Sequence, residues 1–207
     1  ESFALKLRAV MREDPNVIMI GEIRDVDTAK TALQAALTGH LVLSTFHATD
    51  SAAAISRMLD MIGQNPLFAS SVRLIIAQRL VRRICPACVV EKTITPEQGL
   101  WVKDQLSRIP EARRPNVHAE TKLKYSKGCP ECHGIGYKGR IAVLEMMVIN
   151  PEIEALMTRA EKTTSQDIGA AAIKGGMTTL IEDGIHKALD GTTTLEEVMR
   201  IGETVET

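Results

Sequence analysis

Val17-Ile18-Met19-Ile20-Gly21-Glu22 decides the fold. Four apolar residues in a row, stopped by a glycine and a carboxylate, read as a short strand buried on both faces, as strands of parallel sheets are. Asp14-Pro15-Asn16 precedes it. The residue before a proline avoids the helical region, so the amphipathic helix expected over 2–13 ends there. Ser2 is its expected N-cap, with Phe3, Leu5, Leu7, Val10 and Met11 apolar. After the turn Gly21-Glu22-Ile23-Arg24-Asp25, an Ala- and Leu-rich helix is expected from about Asp27 to Thr38, closed by Gly39. Leu41 to Phe46 reads as a second buried strand and His47-Ala48-Thr49-Asp50 as its exit loop. Ser51 to Ile62 reads as a helix capped by Asp50. Pro66 opens a longer helix, expected to run through about Arg83. This strand–helix alternation predicts an α/β fold with a parallel sheet.

The character changes at Cys85. All four cysteines fall in two pairs, Cys85-Pro86-Ala87-Cys88 and Cys129-Pro130-Glu131-Cys132. Two C-x-x-C pairs can bring four thiolates to one tetrahedral point, the closed arrangement of a structural zinc site, with Zn–S distances of roughly 2.3 Å. The glycines of His133-Gly134-Ile135-Gly136-Tyr137-Lys138-Gly139 permit positive-φ turns that let backbone N–H groups approach sulfur. The 40 residues between the pairs, 89–128, predict a small subdomain rather than a minimal ribbon. A redox dithiol and a pair of disulfides are the alternatives. Disulfides need an oxidising compartment, and nothing here resembles a signal peptide. His133 adjoins Cys132, poor geometry for sharing one metal, and is read as a neighbour.

Beyond the insert, Arg140 to Ile149 returns as a strand, and the pattern from Pro151 onward is helical. Pro151 suits a first helical position, Thr164 or Ser165 caps the next helix, and Gly191 closes a helix over 178–190. Thr194-x-x-Glu197 is a capping box for a last short helix. Three parts are expected: 1–84, 85–139 and 140–207.

Hydrophobic residues make up 44% of the chain, enough for a core, but only 3% is aromatic, so Leu, Ile, Val, Ala and Met must build it. Twenty-five basic against 26 acidic residues leave a net charge of −1, which excludes a global nucleic-acid footprint. No apolar run approaches the ~20 residues that span a bilayer. Reduced cysteines and the lack of an export signal point to the cytoplasm. The chain opens at Glu1 without an initiator Met, directly in a helical pattern, as expected of the middle of a longer protein.

In open parallel sheets, ligands bind outside the carboxyl ends of the strands. The first strand ends in Glu22 and the second in Ser44-Thr45-Phe46-His47. A carboxylate delivered there is how nucleotide hydrolases hold Mg²⁺ or its water shell. A histidine from the neighbouring strand end could donate to a terminal phosphate oxygen. The same residues also fit an ordinary turn acid and loop histidine. Arg79, Arg82 and Arg83, at helical spacing, could face a neighbouring subunit or acidic partner, or form a solvated helix face. Met58, Met61, Met146 and Met147 are expected as core filler.

The run 14–25, then Thr28-Ala29 and 35–50, closely resembles the type II secretion and type IV pilus assembly ATPases, the GspE/PilB group. So do Ala77-Gln78-Arg79-Leu80-Val81-Arg82-Arg83-Ile84-Cys85-Pro86 and Gly134-x-Gly136-Tyr137-x-Gly139-Arg140. In chain style it is similar to the branch serving mannose-sensitive-haemagglutinin-type pili. The resemblance covers most of residues 3–200. It implies the C-terminal part of a RecA-like P-loop NTPase sheet (1–84), a tetracysteine zinc module (85–139), and a returning strand with a helical subdomain (140–207). Glu22 would be the Walker B acid at Mg²⁺, with Arg24 and Asp25 bracing that loop. His40 opens a histidine box, and His47 closes it as sensor of the ATP γ-phosphate. Cys85, Cys88, Cys129 and Cys132 match the zinc site of the assembly branch, which retraction ATPases usually lack.

The resemblance further implies a homo-hexamer, cytoplasmic and peripheral at a bacterial inner membrane, working with platform and docking proteins. No G-x-x-x-x-G-K-[ST] occurs in these residues, and the family carries that loop upstream. This chain alone is therefore expected neither to bind ATP tightly nor to hydrolyse it. Loss of two cysteines is expected to unfold 85–139 and spare the sheet. The alternative reading is a non-catalytic, zinc-containing module that docks a membrane platform protein.

Overall fold

The computed structural model describes residues 3–159 and 163–205, with side chains placed for 5–159 and 163–202. The expected cap Ser2 and the Phe3 side chain lie outside them. Along the chain run α1 (Phe3–Val10), β1 (Val17–Ile20), α2 (Val26–Leu37), β2 (Leu41–Ser44), α3 (Ser51–Ile62), α4 (Pro66–Ser71) and β3 (Leu74–Ile84). Then follow β4 (Val89–Thr93), α5 (Pro96–Ser107), β5 (Lys122–Ser126), β6 (Tyr137–Val148), α6 (Pro151–Thr158), α7 (Ser165–Lys174), α8 (Leu180–Leu189) and α9 (Leu195–Val205). Contacts divide the chain into two compact units, Glu1–Ile75 with Met147–Ala172, and Ile76–Met146 with Ile173–Thr207.

In the first unit, β1 and β2 pair in parallel, with Val17 opposite Leu41 and Ile20 opposite Ser44. Ile18 and Ile20 pack with Leu7, Ala32 and Ala35 of the flanking helices. Each fully buried isoleucine stabilises this unit by about 1.5–3 kcal/mol. Asp25 caps α2 by accepting the Thr28 N–H at 2.8 Å, and Asp50 caps α3 by accepting the Ala53 N–H at 2.7 Å. Each such cap contributes about 1 kcal/mol. The expectation that β1 and β2 are buried on both faces fails. Val17, Met19, Leu41 and Leu43 are exposed, because only one face of the pair is covered among the described residues.

The long helix expected from Pro66 is also corrected. It stops at Ser71, and Leu74–Ile84 is a strand paired with Tyr137–Val148. Leu, Gln, Arg and Ala are good helix formers, but pairing with a second strand overrides that weak preference. Arg79, Arg82 and Arg83 therefore do not share a helix face. Met58 and Met147 are core as expected, whereas Met146 is exposed because it alternates with Met147 along β6.

In the second unit, β4 and β5 pair antiparallel from Val89 opposite Ser126 to Thr93 opposite Lys122. A core of Ile94, Val102, Leu106, Leu123, Ile185 and Val198 joins this pair to α5, α8 and α9. Thr95 and Gln98 form a capping box at the start of α5, and Thr179 and Glu182 form one at α8. The box expected at Thr194 is only half realised. The Thr194 hydroxyl accepts the Glu197 N–H at 3.4 Å, but the Glu197 carboxylate turns to the Arg82 guanidinium at 2.7 Å. A cation within reach of a buried carboxylate outbids a neutral backbone N–H. No helix of the described residues is long and apolar enough to cross a membrane.

Candidate functional site

Two constellations stand out, one in each unit. The first lies beyond the carboxyl ends of β1 and β2, where parallel strands leave a crevice. Gly21 and Glu22 leave β1, and Thr45 and His47 leave β2. Two hydrogen bonds tie the exits together: Ile23 N–H to Thr45 O at 3.1 Å, and Thr45 Oγ1 to Gly21 O at 2.5 Å. The result is a cleft of about 580 Å³ lined by Gly21, Glu22, Arg24, Asp25, Thr28, Thr45 and His47.

Glu22 is the charge at its centre. Its Oε1 lies 2.7 Å from His47 Nε2, and its Oε2 accepts Arg24 Nε at 2.5 Å. The Glu22 side chain is 19% exposed, whereas His47 and Arg24 are 83% and 78% exposed. The carboxylate is thus the floor, and the two basic side chains are its exposed lips. Because a carboxylate accepts, Nε2 carries a proton in this arrangement. Asp25, on the cleft wall, uses its carboxylate to cap α2. The N–H and hydroxyl of Thr28 hold its carboxyl below the usual carboxylate range.

His40 stands apart from this set. It is not among the cleft-lining residues. Its Nδ1 lies 2.9 Å from Ala35 O and 3.1 Å from Thr38 Oγ1, at the end of α2. Sequence reasoning missed Arg57 of α3. Arg57 donates to His47 O at 2.5 Å and sits 5.8 Å from the Phe46 ring centre, so it holds the loop that carries His47. The available signal was a lone cation in the Ala-rich segment Ser51–Ile62.

The second constellation is the four cysteines. Cys85 and Cys88 lie just before β4, and Cys129 and Cys132 lie between β5 and β6, so pairing of β4 with β5 brings the two pairs together. Sγ separations are 3.9 Å for Cys85–Cys129, 3.9 Å for Cys88–Cys132 and 3.7 Å for Cys129–Cys132. All four sulfurs lie within 4.8 Å of one another. A tetrahedron with metal–sulfur bonds of about 2.3 Å has edges of about 3.8 Å, so the quartet could hold one metal ion. The spacing is far beyond an S–S bond, which is about 2.05 Å.

Backbone donors prepare the sulfurs. Cys132 Sγ accepts N–H groups from Cys129 and Gly136, both at 3.2 Å. Gly136 holds φ at +83°, and a Cβ there would strike Ser126 Oγ, so glycine is required. Burial opposes ionisation of Cys132, yet these N–H groups and the neighbouring thiols outweigh it and bring the thiol down to about 6. Burial pushes Cys88 up to about 12 and raises Cys85. Among these thiols Cys132 is thus the readiest to ionise. His133 is exposed and is not part of the group.

Comparison with known proteins adds to this geometry. The family model described as "Type II/IV secretion system protein" matches residues 1–200. The chain is 45% identical over 199 residues to the type IV pilus assembly ATPase PilB of Thermus thermophilus, covering 96% of this chain and 21% of that protein. It is 42% identical over 200 residues to the type II secretion system protein HxcR of Pseudomonas aeruginosa, covering 97% of this chain and 36% of that protein. Among solved structures, the pilus retraction motor PilT with bound ADP superposes with a TM-score of 0.63 at 25% identity, over 97% of this chain and 43% of PilT. The chain thus spans less than two-fifths of the length of these two sequence relatives.

Proposed function

The chain belongs to the type II/IV secretion system protein family, and from that premise we propose that it is the Walker B, histidine-box and zinc-bearing portion of a hexameric ATPase that powers type II secretion or type IV pilus assembly. The observation that carries this is the meeting of Glu22 and His47, 2.7 Å apart, in a cleft at the carboxyl ends of two parallel strands.

In hydrolysis of a nucleoside triphosphate, water attacks the γ-phosphorus in line, and the protein's work is positioning and charge neutralisation. Glu22 would hold magnesium, which supplies positive charge at the phosphate oxygens. His47, freed from Glu22, points a ring N–H at a terminal phosphate oxygen. Arg24 steadies the Glu22 carboxylate and shields it on its solvent side. Asp25 fixes the start of α2, and with it the direction in which Glu22 leaves β1. His40 acts at one remove, by closing α2 and setting the entry to β2.

The phosphate-cradling loop would come from a segment outside these 207 residues, so the isolated chain is inert toward ATP. The cysteine quartet would hold one structural zinc, since four thiolates leave no coordination position open for substrate. The working protein would be peripheral at the inner membrane and engage platform and docking proteins there.

The test is ATP hydrolysis by the full-length protein that carries this chain. Glu22→Gln should lower kcat by about 100-fold or more, and His47→Ala by about 10–100-fold. Hydrolysis by Glu22→Gln at the wild-type rate sinks the reading. A Glu22-dependent ATPase in the 207-residue chain alone would overturn the inertness of the isolated chain and leave the role of Glu22 standing.

A further inference from the structure

The 40 residues between the cysteine pairs build more than a metal knuckle needs. They carry α5, the segment 108–121 and the strands that flank them. Between α5 and residues 114–119 lies a half-open groove of about 710 Å³. Its floor is apolar and buried, from Ile94, Val102 and Leu106. Leu100 stands at the lip, 69% exposed. The rim carries two cations, Lys103 and Arg114, with His118 beside them, and no carboxylate lines it.

Among the described residues neither Lys103 nor Arg114 forms an ion pair. Arg114 donates to the carbonyls of Ile109 at 2.7 Å and Ser107 at 3.1 Å, which pins the turn but leaves its charge unmatched. Asp104, the closest acid in sequence to Lys103, pairs instead with Arg108 at 3.8 Å.

We propose that this groove is a docking site for a segment of a partner protein that presents apolar side chains on one face, flanked by carboxylates. A helix laid in a groove is held by i, i+3, i+4 and i+7 anchors. Carboxylates along its edge would meet Lys103 and Arg114 and set its direction. A bilayer fits the same charges less well. The apolar floor is recessed behind polar rims, whereas a lipid-binding surface projects its apolar residues and gathers about four to eight cations. The site needs neither nucleotide nor a change at Glu22, so it stands or falls separately from the ATPase reading.

The experiment titrates the isotope-labelled chain, in its metal-loaded form, with two synthetic amphipathic helices that share the same leucine positions. One carries glutamate elsewhere and the other lysine, and phosphatidylglycerol vesicles are run in parallel. The acidic peptide should shift backbone amides within 94–107 and 114–119, with a Kd of about 10–100 µM that weakens with added salt. Lys103→Glu and Leu100→Glu, both at exposed positions of a capped helix, should each weaken it about tenfold. Four outcomes overturn the proposal: no shifts at about 1 mM acidic peptide, equal binding of the basic peptide, affinity unmoved by both variants, or shifts at the groove from vesicles alone.

Discussion

Replacing Glu197 with glutamine removes one charge from the interior of the second unit and keeps the side chain's shape. The Glu197 side chain is 2% exposed. Its carboxylate accepts the Arg82 N–H at 2.9 Å, the Arg82 guanidinium at 2.7 Å and the Arg200 guanidinium at 2.8 Å. The Arg82 guanidinium in turn lies 4.1 Å from the Tyr137 ring centre. Breaking one side of a fully buried ion pair costs about 3–5 kcal/mol. The Arg82 and Arg200 side chains are 43% and 58% exposed, so water recovers part of that. A loss of about 2–3 kcal/mol follows for the variant. With a urea slope of about 2 kcal/mol/M, the midpoint should fall by about 1–1.5 M.

Trp101, the single tryptophan, reports it, because it packs on this unit's core and not the other's. The pH dependence gives a second reading. Burial raises the Glu197 carboxyl, but Arg82 and Arg200 outweigh it and hold it below its ordinary value. A depressed carboxyl contributes stability above the unfolded value of about 4.3 and loses it as pH falls through the lower folded value. The gap between wild type and Glu197→Gln should therefore be constant near neutrality and close below about pH 4. A midpoint shift under about 0.3 M, or a gap that widens on acidification, refutes the reasoning.

Three further outcomes are expected. The purified chain should carry one zinc per molecule, measured by elemental mass spectrometry, and Cys85→Ser with Cys88→Ser should lose both the metal and ordered structure in the cysteine-bearing unit; unchanged zinc content and far-UV circular dichroism would sink the assignment. Asp25→Ala should lower stability of the first unit by about 1 kcal/mol through loss of the α2 cap, read from slower-exchanging amides of α2 becoming faster. Arg57→Ala should shift the His47 ring resonances in NMR spectra of the chain and cut kcat of the full-length protein several-fold with little change in KM. His47 resonances that stay in place, with kcat intact, would leave Arg57 without a positioning role.

Much of the first unit was legible because its signals are local. Asp25 and Asp50 cap the helices that follow them, each within a turn of the N–H group it accepts. The continuous apolar run at 17–20 was harder. A four-residue apolar stretch does not say which faces are covered, and Met19 turned out 79% exposed. Leu74–Ile84 was misread for a related reason. Its composition suits a helix, and its strand character depends on Tyr137–Val148, more than fifty residues on, which supplies the pairing. The convergence of the four cysteines was legible, since paired C-x-x-C spacing suits chemistry that only convergence can satisfy.

The charges were the least legible, and the reason is distance along the chain. Arg82 and Glu197 are 115 residues apart, and Arg113 and Glu182 are 69 apart. Both carboxylates sit three residues after a threonine, the spacing of a capping box, although from sequence alone only Thr194-x-x-Glu197 is read as one. Glu182 forms such a box, because its Oε2 still accepts the Thr179 N–H at 3.4 Å while the Arg113 guanidinium takes the same oxygen. Glu197 does not, because the Arg82 cation and N–H claim both oxygens. A buried carboxylate goes to the strongest donor that the folded chain delivers, and a guanidinium outranks an N–H three residues away. The same logic separates Glu22 from its surroundings. It too is held by two basic side chains, but these are mostly exposed, so water competes for both pairs. The carboxylates differ in the same sense, Glu197 being 2% exposed and Glu22 19%, so depth, rather than the ion pair itself, separates a carboxylate that locks the fold from one open to solvent.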